Sequence, residues 1–191
     1  MVSAVIDLET NGTNPLEHRI IAIGVKIVET GETKVFSDYS EERVLKEFWE
    51  FVRKKRVKKL IGFNINNFDW QFIKLRSLKY GIKIKHFRKY KERIDLRQIL
   101  NSNPYAKGRL DDYSRFFGLE VHDSITGKDV PKLWEEYLRG EEMALDEIID
   151  HLLADLERTK YVYDRLVKCG LIREEYGIFE RLKRIFSFIF L

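Results

Sequence analysis

The order of apolar patterns along the chain constrains its fold more than any other feature. Three short runs of strand type come first, VSAVIDLE, RIIAIGVKIV and TKVFSDY, and a helical pattern follows, SEERVLKEFWEFVRK. A fourth strand, KKLIGF, precedes a second helix, NFDWQFIKLRSLKYG, and further helical patterns follow. The strand runs are rich in β-branched residues, whereas the helical runs repeat apolar residues with a period of about 3.6. This order predicts an α/β or α+β domain, with a mixed central sheet flanked by helices.

Composition limits the classes of protein to which the chain can belong. A chain of 191 residues fits one domain with an appendage. Cys169 is the single cysteine, which excludes an internal disulfide and a cysteine metal cluster. No basic leader and no membrane-spanning apolar run is visible, so we expect a cytoplasmic protein. The charged fraction of 35% is typical of thermophile proteins, and the net charge of +4 mildly favours a polyanionic partner.

Two carboxylates end the first predicted strand. Asp7 and Glu9 flank Leu8, and residues two apart on a strand point to the same face. Adjacent carboxylates at a buried strand end repel each other unless a cation lies between them. The pair therefore indicates a metal site, and a solvated strand end is the alternative.

Two further acidic residues have neighbours that suit a functional site. Asp69 falls in the first turn of a helix, in the segment GFNINNFDW, where amides and aromatic rings suit a nucleic-acid end. A helix cap is the alternative for this residue. Asp155 follows His151 by one helical turn, so both side chains lie on one face. A surface or partly buried histidine is the alternative for His151.

Four carboxylates of this kind can bind two hard divalent cations through oxygen ligands. A two-metal site suits phosphodiester hydrolysis, because one ion readies the attacking water and the other stabilises the leaving oxygen. His151 would lie near enough to orient or deprotonate that water.

These motifs resemble those of the DEDD 3′–5′ exonucleases, most of all the proofreading exonuclease domain of family B DNA polymerases. VIDLET resembles the first motif, IGFNINNFDWQFIKLR the second and DHLLADLERTKYVYDRL the third. The resemblance spans roughly residues 2–167 and implies an RNase H-like fold with two Mg²⁺ or Mn²⁺ ions. It assigns Asp7, Glu9, Asp69 and Asp155 to the metals. It places Leu8, Thr10, Asn64 and Phe68 against the 3′-terminal nucleotides, and Lys128 as a phosphate contact.

The third motif departs from the pattern of that family, which has Tyr four positions or His five positions before the last Asp. This chain has His151 four positions before Asp155. Either His151 replaces the tyrosine and acts as the base, or the site is weakened and the protein is mainly a binder.

The rest of the chain adds charge and an apolar end. RKKRVKK and KIKHFRKYKER are basic runs that suit phosphate contacts, with a solvated face as the alternative. We expect an exonuclease domain over residues 1–168 and an apolar helical tail over residues 169–191. The tail would pack on the domain, join a twin subunit, or bind a protein partner or membrane surface.

The sequence therefore predicts a 3′–5′ exodeoxyribonuclease that acts on single-stranded DNA ends and releases nucleoside 5′-monophosphates. The alternatives are an RNA-trimming or structure-specific nuclease with the same core, and a nucleic-acid-binding module with a degenerate site.

Overall fold

The computed structural model describes residues 2–122 and 125–173. Within these residues the five strands are β1 (Val2–Thr10), β2 (Ile20–Ile27), β3 (Thr33–Ser37), β4 (Val57–Gly62) and β5 (Arg93–Asp95). The helices are α1 (Glu41–Lys54), α2 (Asp69–Lys79), α3 (Leu96–Leu100), α4 (Leu110–Phe116), α5 (Val130–Leu138) and α6 (Glu142–Lys168). None of the described helices is long and apolar enough to cross a bilayer.

The strands form one mixed sheet with β1 at its centre, in the order β3-β2-β1-β4-β5. β1 and β2 are antiparallel, as are β2 and β3, whereas β1, β4 and β5 run parallel. Because parallel strands end at the same edge, the carboxyl end of β1 lies beside the loop that follows β4. The predicted mixed sheet is thereby confirmed.

Alternating residues of β1 face two different helical layers. Ala4, Ile6 and Leu8 belong to the core that contains the apolar residues of α1 and α2. Val5 belongs to the core formed with α6, and Asp7 and Glu9 share the face of Val5 by the strand period of two. The first two acidic residues therefore point towards α6, the helix that bears the third motif.

A glycine lets α6 lie close to the sheet at this point. Gly24 of β2 is the register partner of Asp7. A Cβ atom at Gly24 would lie 2.6 Å from Leu156 Cδ1 and 3.1 Å from Leu152 Cγ. Both leucines belong to α6. The lack of a side chain at Gly24 therefore sets how closely α6, with its polar face, approaches β1.

A buried ion pair joins the helices on the opposite face. Arg76 of α2 donates through Nη2 to Glu41 Oε2 at 2.6 Å, and both side chains are almost fully buried. The backbone N–H of Ile20 donates to Glu41 Oε1 at 2.8 Å. These bonds fix α2, and hence its first residue, to α1 and to β2.

The segment RIDLRQIL contains both a strand and a helix, because β5 is followed at once by α3. The predicted apolar tail falls largely on residues 174–191, which lie outside the described residues. The division into residues 1–168 and 169–191 stays a prediction, although α6 ends at Lys168.

Candidate active site

The side chains that the sequence assigns to the site lie around one cavity of about 810 Å³ at the carboxyl end of β1. Its lining includes all ten of them: Asp7, Leu8, Glu9, Thr10, Asn64, Phe68, Asp69, Lys128, His151 and Asp155. Four separate parts of the chain supply these residues: β1, the loop before α2 with the first residue of α2, the loop before α5, and α6. Local sequence patterns therefore pointed to residues that the fold brings together.

The four carboxylates lie close enough to affect one another's titration. Burial raises the pKa of Asp7 well above its usual range, and the charges of Asp155, Asp69 and Glu9 raise it further. Burial and the charges of Asp155 and Asp69 likewise raise the pKa of Glu9. The pKa of Asp69 rises to about 7, first through burial and then through Asp95 and Asp155. The cluster concentrates negative charge where water cannot screen it, and a cation would relieve this repulsion.

The loop before α2 is held by a carboxylate that lies outside the predicted set. Asp95, at the end of β5, accepts the backbone N–H of Asn64 at 3.1 Å and of Asn66 at 3.0 Å. It also accepts the N–H of Gln98 at 3.1 Å and so caps α3. Asn64 has a φ of 74°, a left-handed conformation that Asn tolerates better than most residues. Asp95 thereby fixes the loop that leads into Asp69.

His151 lies between two of the acidic residues. Its Nε2 is 3.9 Å from Glu9 Oε1 and 3.9 Å from Asp155 Oδ2, and its side chain is 8% exposed. The other ring nitrogen, Nδ1, is buried and has no hydrogen-bond partner among the described residues. The four-residue spacing therefore still places the imidazole at the carboxylates, not on the outer surface.

Arg158 is a site residue that the sequence reasoning missed. Its Nη1 donates to Asp155 Oδ1 at 2.6 Å and to Asp111 Oδ1 at 3.2 Å, and its side chain is 5% exposed. A signal was present, because Arg158 follows Asp155 by three residues and so lies on the same helical face. Arg158 orients one oxygen of Asp155 and partly neutralises it.

The residues assigned to nucleic-acid contact differ in their burial and polarity. Leu8 is buried in the cavity wall, and the hydroxyl of Thr10 donates to Gly12 O at 2.7 Å. Phe68 packs on Phe72, with ring centroids 5.0 Å apart. Lys128 is exposed at the cavity mouth. An apolar wall with an exposed cation beside it suits the base and the phosphate of a nucleotide.

The donor set suits hard divalent cations, because carboxylate oxygens are the ligands that Mg²⁺ and Mn²⁺ prefer. In the described part of the chain, however, no three acidic, histidine or cysteine side chains stand in position to hold one ion together. The chemistry of the cluster fits metal ions, and binding them would require side-chain rotation.

A mixed central sheet with carboxylates at the end of its first strand is the arrangement found in RNase H-like proteins. The family model RNase_H_2, of the RNase_H superfamily, matches residues 4–167, and the chain belongs to that family. The predicted RNase H-like fold is confirmed.

Two individual proteins illustrate the relationship. The uncharacterized protein MJ0365 of Methanocaldococcus jannaschii is 52% identical over 179 residues, which cover 91% of this chain and all of that protein. The family B DNA polymerase of the hyperthermophilic archaeon Pyrobaculum calidifontis superposes with a TM-score of 0.75 at 20% identity. The superposition covers 87% of this chain but 24% of the polymerase chain, so this likeness concerns the fold alone.

Proposed function

We propose that the protein is a metal-dependent 3′–5′ exonuclease that hydrolyses single-stranded DNA from its 3′ end and releases nucleoside 5′-monophosphates. The observation that carries this proposal is the meeting of Asp7, Glu9, Asp69 and Asp155 around one cavity of an RNase H-like fold. Nuclease chemistry is common in this fold class, and the raised pKa values of three of the four acids show an accumulation of charge that a cation would offset.

The four carboxylates would hold two Mg²⁺ or Mn²⁺ ions. When bound, such ions supply an activated water and stabilise the leaving oxygen of the phosphodiester. His151 presents Nε2 to the space between Glu9 and Asp155, where it can accept a proton from a water molecule. Arg158 donates to Asp155 Oδ1 and so positions that carboxylate.

The end of the nucleic acid would lie along the apolar and polar walls of the cavity. Leu8 and Phe68 offer apolar surface to the terminal base, while Thr10 and Asn64 offer polar groups to the sugar and phosphate. Lys128 is placed to contact a phosphate. We infer a cytoplasmic role in DNA repair in a thermophile, with a protein partner or a second subunit bound through the C-terminal segment.

One observation favours a second candidate function. Arg158 pairs with Asp155 as a cation would, and the ligands do not converge on one ion as they stand. A nucleic-acid-binding module that has lost hydrolysis would show the same arrangement. An RNA-trimming or structure-specific nuclease would share the catalytic core and differ in its substrate.

The test uses 5′-labelled DNA and RNA oligonucleotides incubated with Mg²⁺, Mn²⁺ or EDTA. The proposal predicts stepwise shortening of DNA from the 3′ end that needs a divalent ion and is lost in Asp7→Ala. The matched control Asp146→Ala removes an exposed acid of α6 and should cleave like the wild type. Shortening of RNA alone would overturn the DNA assignment, and binding without any metal-dependent shortening would favour the binding module.

A further inference from the structure

A buried arginine outside the active site has no anionic partner within residues 2–122 and 125–173. Arg93, the first residue of β5, is 7% exposed, and its Nε and Nη1 have no hydrogen-bond partner among the described residues. Its guanidinium stacks on the ring of Trp70, 4.7 Å from the ring centroid. Burial lowers the pKa of Arg93. A buried charge without a counterion is destabilising, so Arg93 is a position where an anion would be strongly favoured.

The surroundings of Arg93 are cationic. It lines a cavity of about 530 Å³ together with Lys59, Lys91 and Arg173. Asp95 is the carboxylate in the described lining, and its oxygens already accept three backbone N–H groups at the end of β5. Within the described lining, the cations Lys91, Arg93 and Arg173 outnumber this carboxylate.

A polar groove connects this cavity to the active site. A depression of about 510 Å³ shares Asn64 and Arg109 with the active-site cavity and shares Gln98 with the Arg93 cavity. Arg97 and Lys107 also line it. Cationic side chains thus follow one another from the carboxylates to Arg93, as the backbone of a nucleic-acid strand would require.

The sheet register gives the straight-line distance that this path must cover. Ala4 pairs with Leu60, and Leu60 pairs with Arg93, so Arg93 lies level with Ala4 and two strands away. With strands ~4.8 Å apart and ~3.3 Å per residue, the Cα of Arg93 is roughly 14 Å from that of Asp7. At ~3.4 Å per stacked nucleotide, this distance corresponds to about four nucleotides.

We propose that the Arg93 cavity is a phosphate subsite that binds the backbone of the substrate strand about four nucleotides from the 3′ end. This inference rests on the proposed function, which defines where the 3′ end of the strand lies. A nucleic-acid strand is favoured over a free phosphate ion as the ligand, because the cationic side chains continue along the groove and do not surround a single anion. Tyr90, 77% exposed and also in the cavity lining, offers a ring on which a base can stack.

The test compares binding of DNA oligonucleotides of three and ten nucleotides by fluorescence anisotropy in EDTA, so that no hydrolysis intervenes. Arg93→Gln should weaken binding of the 10-mer about tenfold and leave binding of the 3-mer unchanged, because the 3-mer does not reach the cavity. The slope of log Kd against log salt concentration should fall by about 0.7 for the lost phosphate contact. Lys91→Gln, an exposed change in the same cavity, should weaken 10-mer binding without endangering the fold.

The matched control is Arg88→Gln, which removes an exposed arginine that pairs with Glu92 outside the cavity lining. Equal losses in Arg88→Gln and Arg93→Gln, or equal losses for both oligonucleotide lengths, would overturn the proposal. Inorganic phosphate that stabilises the wild type but not Arg93→Gln, with 10-mer binding unaffected, would identify a free anion as the ligand and also overturn it. Length-dependent binding without metal-dependent cleavage would refute the exonuclease and leave the subsite standing.

Discussion

Replacement of Asp69 by Asn measures how much the clustered carboxylates lower the free energy of unfolding. Burial and the charges of Asp95 and Asp155 raise the pKa of Asp69 from 3.8 to about 7. Between these values the folded protein binds more protons than the unfolded chain, so stability falls as the pH rises from about 4 to about 7. At about 1.4 kcal/mol per pKa unit, this pKa shift of Asp69 lowers the free energy of unfolding by roughly 4 kcal/mol at pH 8 and roughly 2 kcal/mol at pH 5.

Asp69→Asn removes this charge with little change in shape. In EDTA, we expect the variant to be more stable than the wild type, by up to roughly 4 kcal/mol at pH 8 and by less at pH 5. For a chain of this length, scanning calorimetry should show an increase in Tm of roughly 8–16 °C at pH 8. The same variant should gain less stability from Mn²⁺ than the wild type, because one ligand is lost.

Asp146→Asn is the matched control, since this exposed acid of α6 should change stability by no more than about 0.5 kcal/mol at either pH. A variant Asp69→Asn that is less stable than the wild type at pH 8, or equally stabilised at pH 5 and pH 8, would refute the reasoning.

Three further predictions concern groups around the carboxylates. His151→Ala should lower kcat about 10²-fold or more without unfolding the protein, and full kcat would exclude His151 as the base. Arg158→Gln should raise the Mn²⁺ concentration for half-maximal activity about 10–100-fold, with partial rescue by Arg158→Lys, and an unchanged requirement would exclude its role in positioning Asp155. Gly24→Ala should displace α6 and lower both Tm and kcat, because its Cβ would meet Leu156 at 2.6 Å; unchanged activity would contradict this.

Much of the fold and the site could be predicted because the signals are local. The two faces of β1 follow from a period of two, and the turn between His151 and Asp155 follows from the helical period. Asp7 and Glu9 stand near the end of β1 and Asp69 in the first turn of α2, whereas Asp155 lies in the middle of α6. The first three meet at one sheet edge because β1 and β4 pair in parallel.

The missed residues make contacts between distant parts of the chain, although Arg158 also has a local partner in Asp155. Arg158 meets Asp111 across 47 positions, and Asp95 meets Asn64 across 31 positions. Neither pairing has a local period or motif. Arg93 stands in a basic run that reads as a solvated surface, and its burial against Trp70 is set by the edge of the sheet.

The central claim is that Asp7, Glu9, Asp69 and Asp155 together bind two divalent ions. Calorimetric titration of the metal-free protein with Mn²⁺ at pH 8 tests it most directly, because binding is measured without any assumption about the substrate. We expect two ions per chain for the wild type and for Asp146→Asn. The account predicts loss of at least one ion in Asp7→Asn. No saturable Mn²⁺ binding by the wild type, or an unchanged titration in Asp7→Asn, would contradict the account.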